Sequence, residues 1–221
     1  GPDFMIKVSV VMATYNGEEY IEKQLLSIIN QSRVPDEIIV CDDCSNDNTI
    51  SIIESISKKM NFPIKLEINK ENMGDIKNFT KAISNATGDY IFLCDQDDIW
   101  KRDKVKDTIN IMKKYDKDVA CTGFELINSK DEIITNTTKY KCSPIFGYEN
   151  WSKDVYDIRL KNIIWGNFNP GCTYCFTKKI KNKYLKINNS EISHDYQILL
   201  IGANNKSAIF IDTPYSQYRL H

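Results

Sequence analysis

Residues 7–13 read KVSVVMA, a nearly unbroken apolar and β-branched run, and Thr14, Tyr15, Asn16 and Gly17 then supply turn chemistry. A run of this kind suits a strand covered on both faces. Over 19–31 the period changes: Ile21, Leu25, Ile28 and Ile29 recur at the spacing of one helix face, and Pro35 closes the segment. The alternation then repeats. EIIVC (37–41) predicts a second buried strand, the stretch carrying Ile52, Ile53 and Ile56 an amphipathic helix, 64–68 a third strand, 75–85 a helix, and YIFLC (90–94) a fourth strand. Past Lys101 the pattern loosens into a charged helix, starting near Trp100 and ending about Tyr115, and a strand over 119–127. A polar stretch interspersed with aromatics covers 128–161, followed by strands over 171–177 and 208–211 and a short helix over 195–201.

Alternating strands and helices predict an α/β fold, a mostly parallel central sheet flanked by helices with right-handed crossovers. In such sheets ligands bind beyond the carboxyl ends of the strands. Tyr15 follows the first predicted strand, Asp42 and Asp43 the second, and Asp95, Asp97 and Asp98 the fourth. All six are expected to line one crevice.

The stretch FLCDQDDIW (92–100) sets Asp95, Asp97 and Asp98 close together behind an apolar run. Like charges at that spacing raise one another's pKa and destabilise the fold unless a cation sits among them. Mn2+ or Mg2+, which prefers oxygen ligands and keeps substrate phosphates in its shell, fits the pattern. Capping of a helix beginning near Trp100 would account for Asp98 but leaves Asp95 and Asp97 unexplained. Asp42 or Asp43 could accept hydrogen bonds from a base edge or a ribose hydroxyl while Tyr15 stacks on the base. Each, taken singly, reads equally as turn chemistry.

With 221 residues, 42% of them hydrophobic, the chain can bury a substantial core. One domain over 6–221 is the expectation, residues 1–5 reading as an expression-tag remnant. A net charge of −1 from 29 basic and 30 acidic residues, without a basic block, argues against nucleic acid as a partner. No apolar run reaches the roughly 18 to 20 residues of a membrane span and no signal peptide precedes the first strand, so a cytoplasmic location is expected. Seven cysteines, an odd number with several in predicted strands, fit reduced thiols. Cys41/Cys44 and Cys172/Cys175 have zinc-ligand spacing, but the pairs lie far apart and Cys41 belongs to an apolar strand, which disfavours zinc.

Three blocks, VSVVMATYNGEEYIEKQLLSI, DEIIVCDDCSNDNT and NMGDIKNFTKAISNATGDYIFLCDQDDIW, resemble in order and spacing the successive blocks of the family 2 glycosyltransferases of GT-A fold. Later, GCTYCF (171–176), HDYQ (194–197) and YRLH (218–221) are similar to the acceptor-side segment, catalytic-base motif and terminal His motif of bacterial rhamnosyltransferase-like members. The resemblance covers roughly residues 6 to 221. It implies that Tyr15 stacks on the base and Asp43 binds it, that Asp95 and Asp97 hold ribose and metal, that Asp195 is the general base, and that His221 approaches the metal or diphosphate. Ala13, Asp42 and Gln96 join the nucleotide-sugar side. Trp165, Gly171, Cys172, Thr173, His194 and Asp98 are expected at the acceptor or sugar pocket, His194 standing where many relatives carry an acid. Gly171 also reads as a close backbone approach; Trp151, Trp165 and Tyr174 could stack on sugar faces or, as aromatics more often do, join the core. Arg219 reads equally as positive charge near the diphosphate or as a salt-bridged strand residue.

The resemblance therefore implies a metal-dependent inverting transfer of a sugar, rhamnose being a candidate, from a dTDP- or UDP-linked donor to a saccharide or lipid-linked saccharide in bacterial surface polysaccharide synthesis. Residues 6–100 would form the nucleotide-binding half and 101–221 the acceptor-side half. The chain ends on a motif, which leaves room for a longer enzyme whose other domains reach the inner face of the membrane. Two rivals stay open. A sugar nucleotidyltransferase would need a Gly-rich, Arg-containing loop where this chain has ATYNGEEY; a non-catalytic sugar-nucleotide binding module would have no use for Asp195.

Overall fold

The computed structural model describes residues 5–134, 150–152, 154–164 and 169–221. Four parallel strands, β1 (Val8–Thr14), β2 (Glu37–Asp42), β3 (Ile64–Ile68) and β4 (Tyr90–Cys94), stand in the spatial order β3-β2-β1-β4. The sheet continues through β9 (Tyr174–Thr177), antiparallel to both β4 and β6 (Val119–Ile127), and then β10 (Ala208–Arg219), parallel to β6. Short strands β8 (Val155–Asp157) and β7 (Asn150–Ser152) finish that edge, while β5 (Ile99–Trp100) pairs with the far end of β10.

Period-two alternation divides each central strand between two apolar layers. From β1, Val8, Val10 and Met12 pack with α1 (Ile21–Ile29), α2 (Thr49–Lys59) and α4 (Lys104–Lys114). Val11 faces the other way, into the layer that also holds α3 (Asp75–Asn85), α5 (Leu160–Ile163), α6 (Lys178–Ile187) and α7 (His194–Asn204). Burial on both faces is why this segment reads as a continuous apolar run. Among the described residues no helix is long and apolar enough to cross a membrane, and the buried Cys41, Cys94, Cys121, Cys172 and Cys175 are free thiols.

Four expectations change. No helix starts near Trp100: Ile99 and Trp100 form β5 against Gln217 and Ser216, and α4 begins at Lys104. Residues 171–173 are a 3-10 turn behind Pro170, so that strand begins at Tyr174. The last strand does not stop at 211, because the ladder is irregular around Pro214, which has no N–H to donate, and then resumes to Arg219. Ile180 and Tyr184, one turn apart, bury the face of α6, a helix the sequence reading leaves out.

Glu37, buried at the start of β2, receives hydrogen bonds from the Ser9 hydroxyl, the Thr87 N–H and hydroxyl, and Lys65. Burial alone would raise its pKa, but these donors outweigh it and hold the carboxyl at about 2, below its ordinary 4.5. A depressed folded-state pKa means that the contribution is full above about 4.5 and is lost as pH falls toward 2. Denaturant titrations of Glu37→Gln should therefore show a loss of on the order of 3 kcal/mol at neutral pH, shrinking through that acid window.

Candidate active site

A cleft of about 490 Å3 opens at the carboxyl ends of β1, β2 and β4 and is closed from the side by the end of β10. Ala13, Tyr15, Asp43, Asp95, Gln96, Asp97, Arg219 and His221 all line it. Parallel strands carry the first six there; the late extension of β10 carries the last two.

Tyr15 is 46% exposed, its ring free to meet a ligand. Its backbone is fixed by Gln96, whose amide accepts from the Tyr15 N–H at 2.9 Å and donates to the Tyr15 carbonyl at 3.0 Å. Gln96 thus clamps the loop after β1 to the loop after β4. Asp43 accepts from the Met73 N–H (2.7 Å), the Gly74 N–H (3.1 Å) and Asn69 Nδ2 (3.1 Å). Burial raises its pKa, yet these three donors prevail and hold it below the usual carboxylate range. Gly74, at φ 85°, adopts a left-handed conformation that favours glycine, and in it turns the chain into α3.

Asp42 does not reach the cleft. It is fully buried, and its carboxylate is taken up by the Thr14 hydroxyl (2.6 Å), the Ser45 hydroxyl (2.6 Å) and the Ser45 N–H (2.8 Å). Adjacent residues at a strand end point to opposite sides, and only Asp43 falls on the open one.

The three aspartates after β4 separate by depth. Asp98 is buried, accepts the Arg219 N–H at 3.2 Å, and is pushed up to about 6 by burial and then by Asp97. Asp95 lines the cleft, and burial followed by the charges of Asp98 and Asp97 drives its pKa well above the ordinary value. Asp97 lies toward solvent with its carboxylate against His221 Nε2. Arg219 is buried and ion-paired: its guanidinium reaches the Asp97 carbonyl (2.8 Å), the Asn128 carbonyl (2.6 Å) and Asp131 (2.7 Å), and lies 3.9 Å from the centre of the Tyr20 ring.

Two groups of side chains could hold a cation. Asp97 and His221 bring an oxygen and a nitrogen together at the cleft, both partly solvated; the carboxylate suits a hard divalent cation that shares its shell with phosphates. Ligand atoms of Asp95, Asp98 and Cys172 also lie within 4.8 Å of one another. Cys172, whose thiol burial and then Asp98 and Asp95 push up, would add a soft sulfur that a hard, oxygen-preferring cation does not favour. The donor set at Asp97 and His221, with Asp95 at their side, is therefore compatible with a divalent cation.

Asp195 sits in the first turn of α7, after the N-cap Ser193. Its Oδ1 accepts from the Ser193 hydroxyl and, at 2.7 Å, from the Tyr196 N–H. Its other oxygen rests on Gly171, where an added Cβ would fall 2.7 Å from Oδ2. Gly171→Ala must therefore shift Asp195. Steady-state assays should show turnover reduced on the order of 10- to 100-fold with donor affinity nearly unchanged.

His194 does not line the cleft: it is buried and stacked on Phe79 with ring centres 4.3 Å apart, and burial lowers its pKa. Thr173 and Cys172 are buried and build the turn itself: Thr173 donates to the Pro170 carbonyl at 2.7 Å, and the Cys172 carbonyl accepts from Lys104 at 2.8 Å. Trp165 and the Trp151 side chain lie outside the described residues. The cleft also takes in Asp75, Asn78 and Tyr218, which the sequence reading misses. Asp75 is raised by desolvation and then by Asp195 and Asp43, against the effect of His194. Its only sequence signal is its place just after Gly74, at the start of a helical pattern.

The architecture is that of the GT-A glycosyltransferases. Staphylococcus aureus TarS 1–349 in complex with UDP-GlcNAc matches with a TM-score of 0.73 over 98% of this chain and 59% of that one, at 23% identity. The mannosyltransferase PcManGT from Pyrobaculum calidifontis, in complex with GDP-Man and Mn2+, matches with a TM-score of 0.66 over 95% of this chain and 55% of that one, at 18% identity. Residues 9–183 match the model of glycosyl transferase family 2. The dTDP-rhamnosyl transferase RfbG of Shigella flexneri is 32% identical over 95% of this chain and 71% of its own length. The chain therefore belongs to glycosyltransferase family 2, a family of inverting transferases. The putative teichuronic acid biosynthesis glycosyltransferase TuaG of Bacillus subtilis is also 32% identical, over 72% of this chain. The chain spans 59% of TuaG and a similar share of the TarS 1–349 structure.

Proposed function

We propose that this chain is the catalytic domain of a metal-dependent inverting glycosyltransferase. It moves a sugar, rhamnose in the first instance, from a dTDP- or UDP-linked donor to a saccharide or lipid-linked saccharide acceptor of a bacterial surface polysaccharide. The observation carrying this reading is the convergence of Tyr15, Asp43, Asp95, Asp97 and His221 on one cleft. A volume of about 490 Å3 suits a nucleotide sugar. The name of RfbG supports rhamnose and dTDP, the TarS complex supports UDP, and the PcManGT complex supports Mn2+. Residues 6–100 form the nucleotide half and 101–221 the acceptor half; the enzyme acts in the cytoplasm, reaching the inner membrane face through other domains.

In this reading Tyr15 stacks on the base. Asp43 has spent three of its roughly four lone-pair sites on the loop before α3, leaving one for a base N–H. Asp97 and His221 would hold the cation, which would supply positive charge to the departing diphosphate. Asp195 accepts the proton of the acceptor hydroxyl as its oxygen attacks the anomeric carbon from the face opposite the diphosphate. Configuration inverts and no covalent intermediate forms.

The test is incubation with dTDP- and UDP-sugars and Mn2+. Nucleoside diphosphate should be released slowly to water, faster with acceptor, and not after chelation of the metal. A matching donor at 100 times its Kd should add about 2.7 kcal/mol to stability, visible as a thermal shift. Absence of release with every donor would leave a binding module.

A further inference from the structure

Lys104, the first residue of α4, is fully buried. An apolar side chain of its size is usually the more stable occupant of such a position, so a buried ammonium calls for compensation and a reason. The compensation is complete. Nζ donates to the Cys172 carbonyl at 2.8 Å and to the Ser216 hydroxyl at 2.7 Å, and lies 4.1 Å from the centre of the Trp100 ring. Trp100 and Ser216 are themselves buried.

Two of these partners belong to segments that deliver groups to the cleft, and the third to the turn against which Asp195 rests. Trp100 ends the loop that begins with Asp95 and carries Asp97. Cys172 is the middle of the turn whose Gly171 is the backstop of Asp195. Ser216 stands on β10, ahead of Arg219 and His221. The three segments come from distant parts of the chain and meet on one ammonium.

We propose that Lys104 is a positioning residue: it fastens the 95–98 loop, the Gly171–Thr173 turn and the end of β10 together, holding Asp97, Asp195 and His221 in register around a metal-bound nucleoside diphosphate. This rests on the function proposed above. Lys104 itself does not line the cleft, so it acts through the three segments.

The experiment compares the parent chain with Lys104→Met and Ser216→Ala by calorimetric titration of UDP and dTDP with Mn2+, of uridine and thymidine without metal, and by thermal melting. Lys104→Met should weaken Mn2+-dependent diphosphate binding about 10- to 100-fold, the range seen when supports of metal ligands are removed. Metal-free nucleoside binding, which uses Tyr15 and Asp43 on other strands, should be unchanged. Ser216→Ala, which removes one tether and keeps the charge, should weaken the diphosphate in the same direction by less, with a melting temperature near the parent's. Unchanged diphosphate affinity in Lys104→Met, or equal loss of nucleoside and diphosphate binding, overturns the inference and leaves Lys104 a core anchor. If Lys104→Met does not fold, Ser216→Ala decides alone, and parental diphosphate affinity in it overturns the inference. A parent that binds neither UDP nor dTDP with Mn2+ overturns the proposed function itself, and this inference with it.

Discussion

Asp195→Asn should bind donor and metal about as well as the parent chain while transferring sugar at least about 100-fold more slowly, the lower end of what a general base contributes. The amide keeps the shape of the side chain. Its oxygen can still accept from the Ser193 hydroxyl and the Tyr196 N–H, the two groups that orient the carboxylate. What is lost is the ability to take a proton. A purely structural role predicts something else, because Ser193 is the N-cap of α7 and Asp195 lies inside the first turn, where Asn supports the helix nearly as well. Single-turnover rates with the acceptor present separate the two accounts. A rate within a few-fold of the parent's would remove Asp195 from the chemistry and turn attention to Asp75, the neighbouring carboxylate of the cleft.

The gathering of Tyr15, Asp43, Asp95 and Asp97 was legible in the sequence because parallel topology sends every residue that follows a strand to the same edge of the sheet. Composition could not tell Asp42 from Asp43. Thr14 pairs with Asp42 across β1 and β2, and that register turns Asp42 into the sheet's own hydrogen bonds. The local pattern places a strand only over 208–211, yet β10 runs past Pro214 with a local irregularity and carries Arg219 and His221 to the cleft. That continuation depends on pairing with β6 and β5, contacts between residues far apart in the chain that no local pattern encodes. Lys104 reads as one more charge on a polar helix. Its burial follows from three distant segments closing over it, and His194 likewise packs on Phe79 although its type suggests an exposed or ligating role.

Asp97→Ala should abolish the Mn2+ dependence of donor binding without loss of the fold. The expectation follows from how the charges are arranged. Burial and then the Asp97 charge hold the Asp98 carboxyl at about 6, and Asp97 also raises Asp95 after burial and Asp98. Removing one carboxylate relieves repulsion in the metal-free protein. The partner that Asp97 loses is His221, an exposed residue whose contact adds little to stability. The melting temperature of the metal-free variant should therefore hold or rise. Binding responds in the opposite sense, since Asp97 is the carboxylate that opens to the cleft beside an imidazole, while Asp98 is buried behind it. Titration of UDP or dTDP into the variant should give the same weak affinity with and without Mn2+, the residual coming from Tyr15 and Asp43. If Mn2+ still tightens binding as it does in the parent, the ion is held elsewhere, and the group of Asp95, Asp98 and Cys172 becomes the place to look. A variant that melts well below the parent would contradict the repulsion argument, because it would make Asp97 a net stabiliser of the metal-free fold.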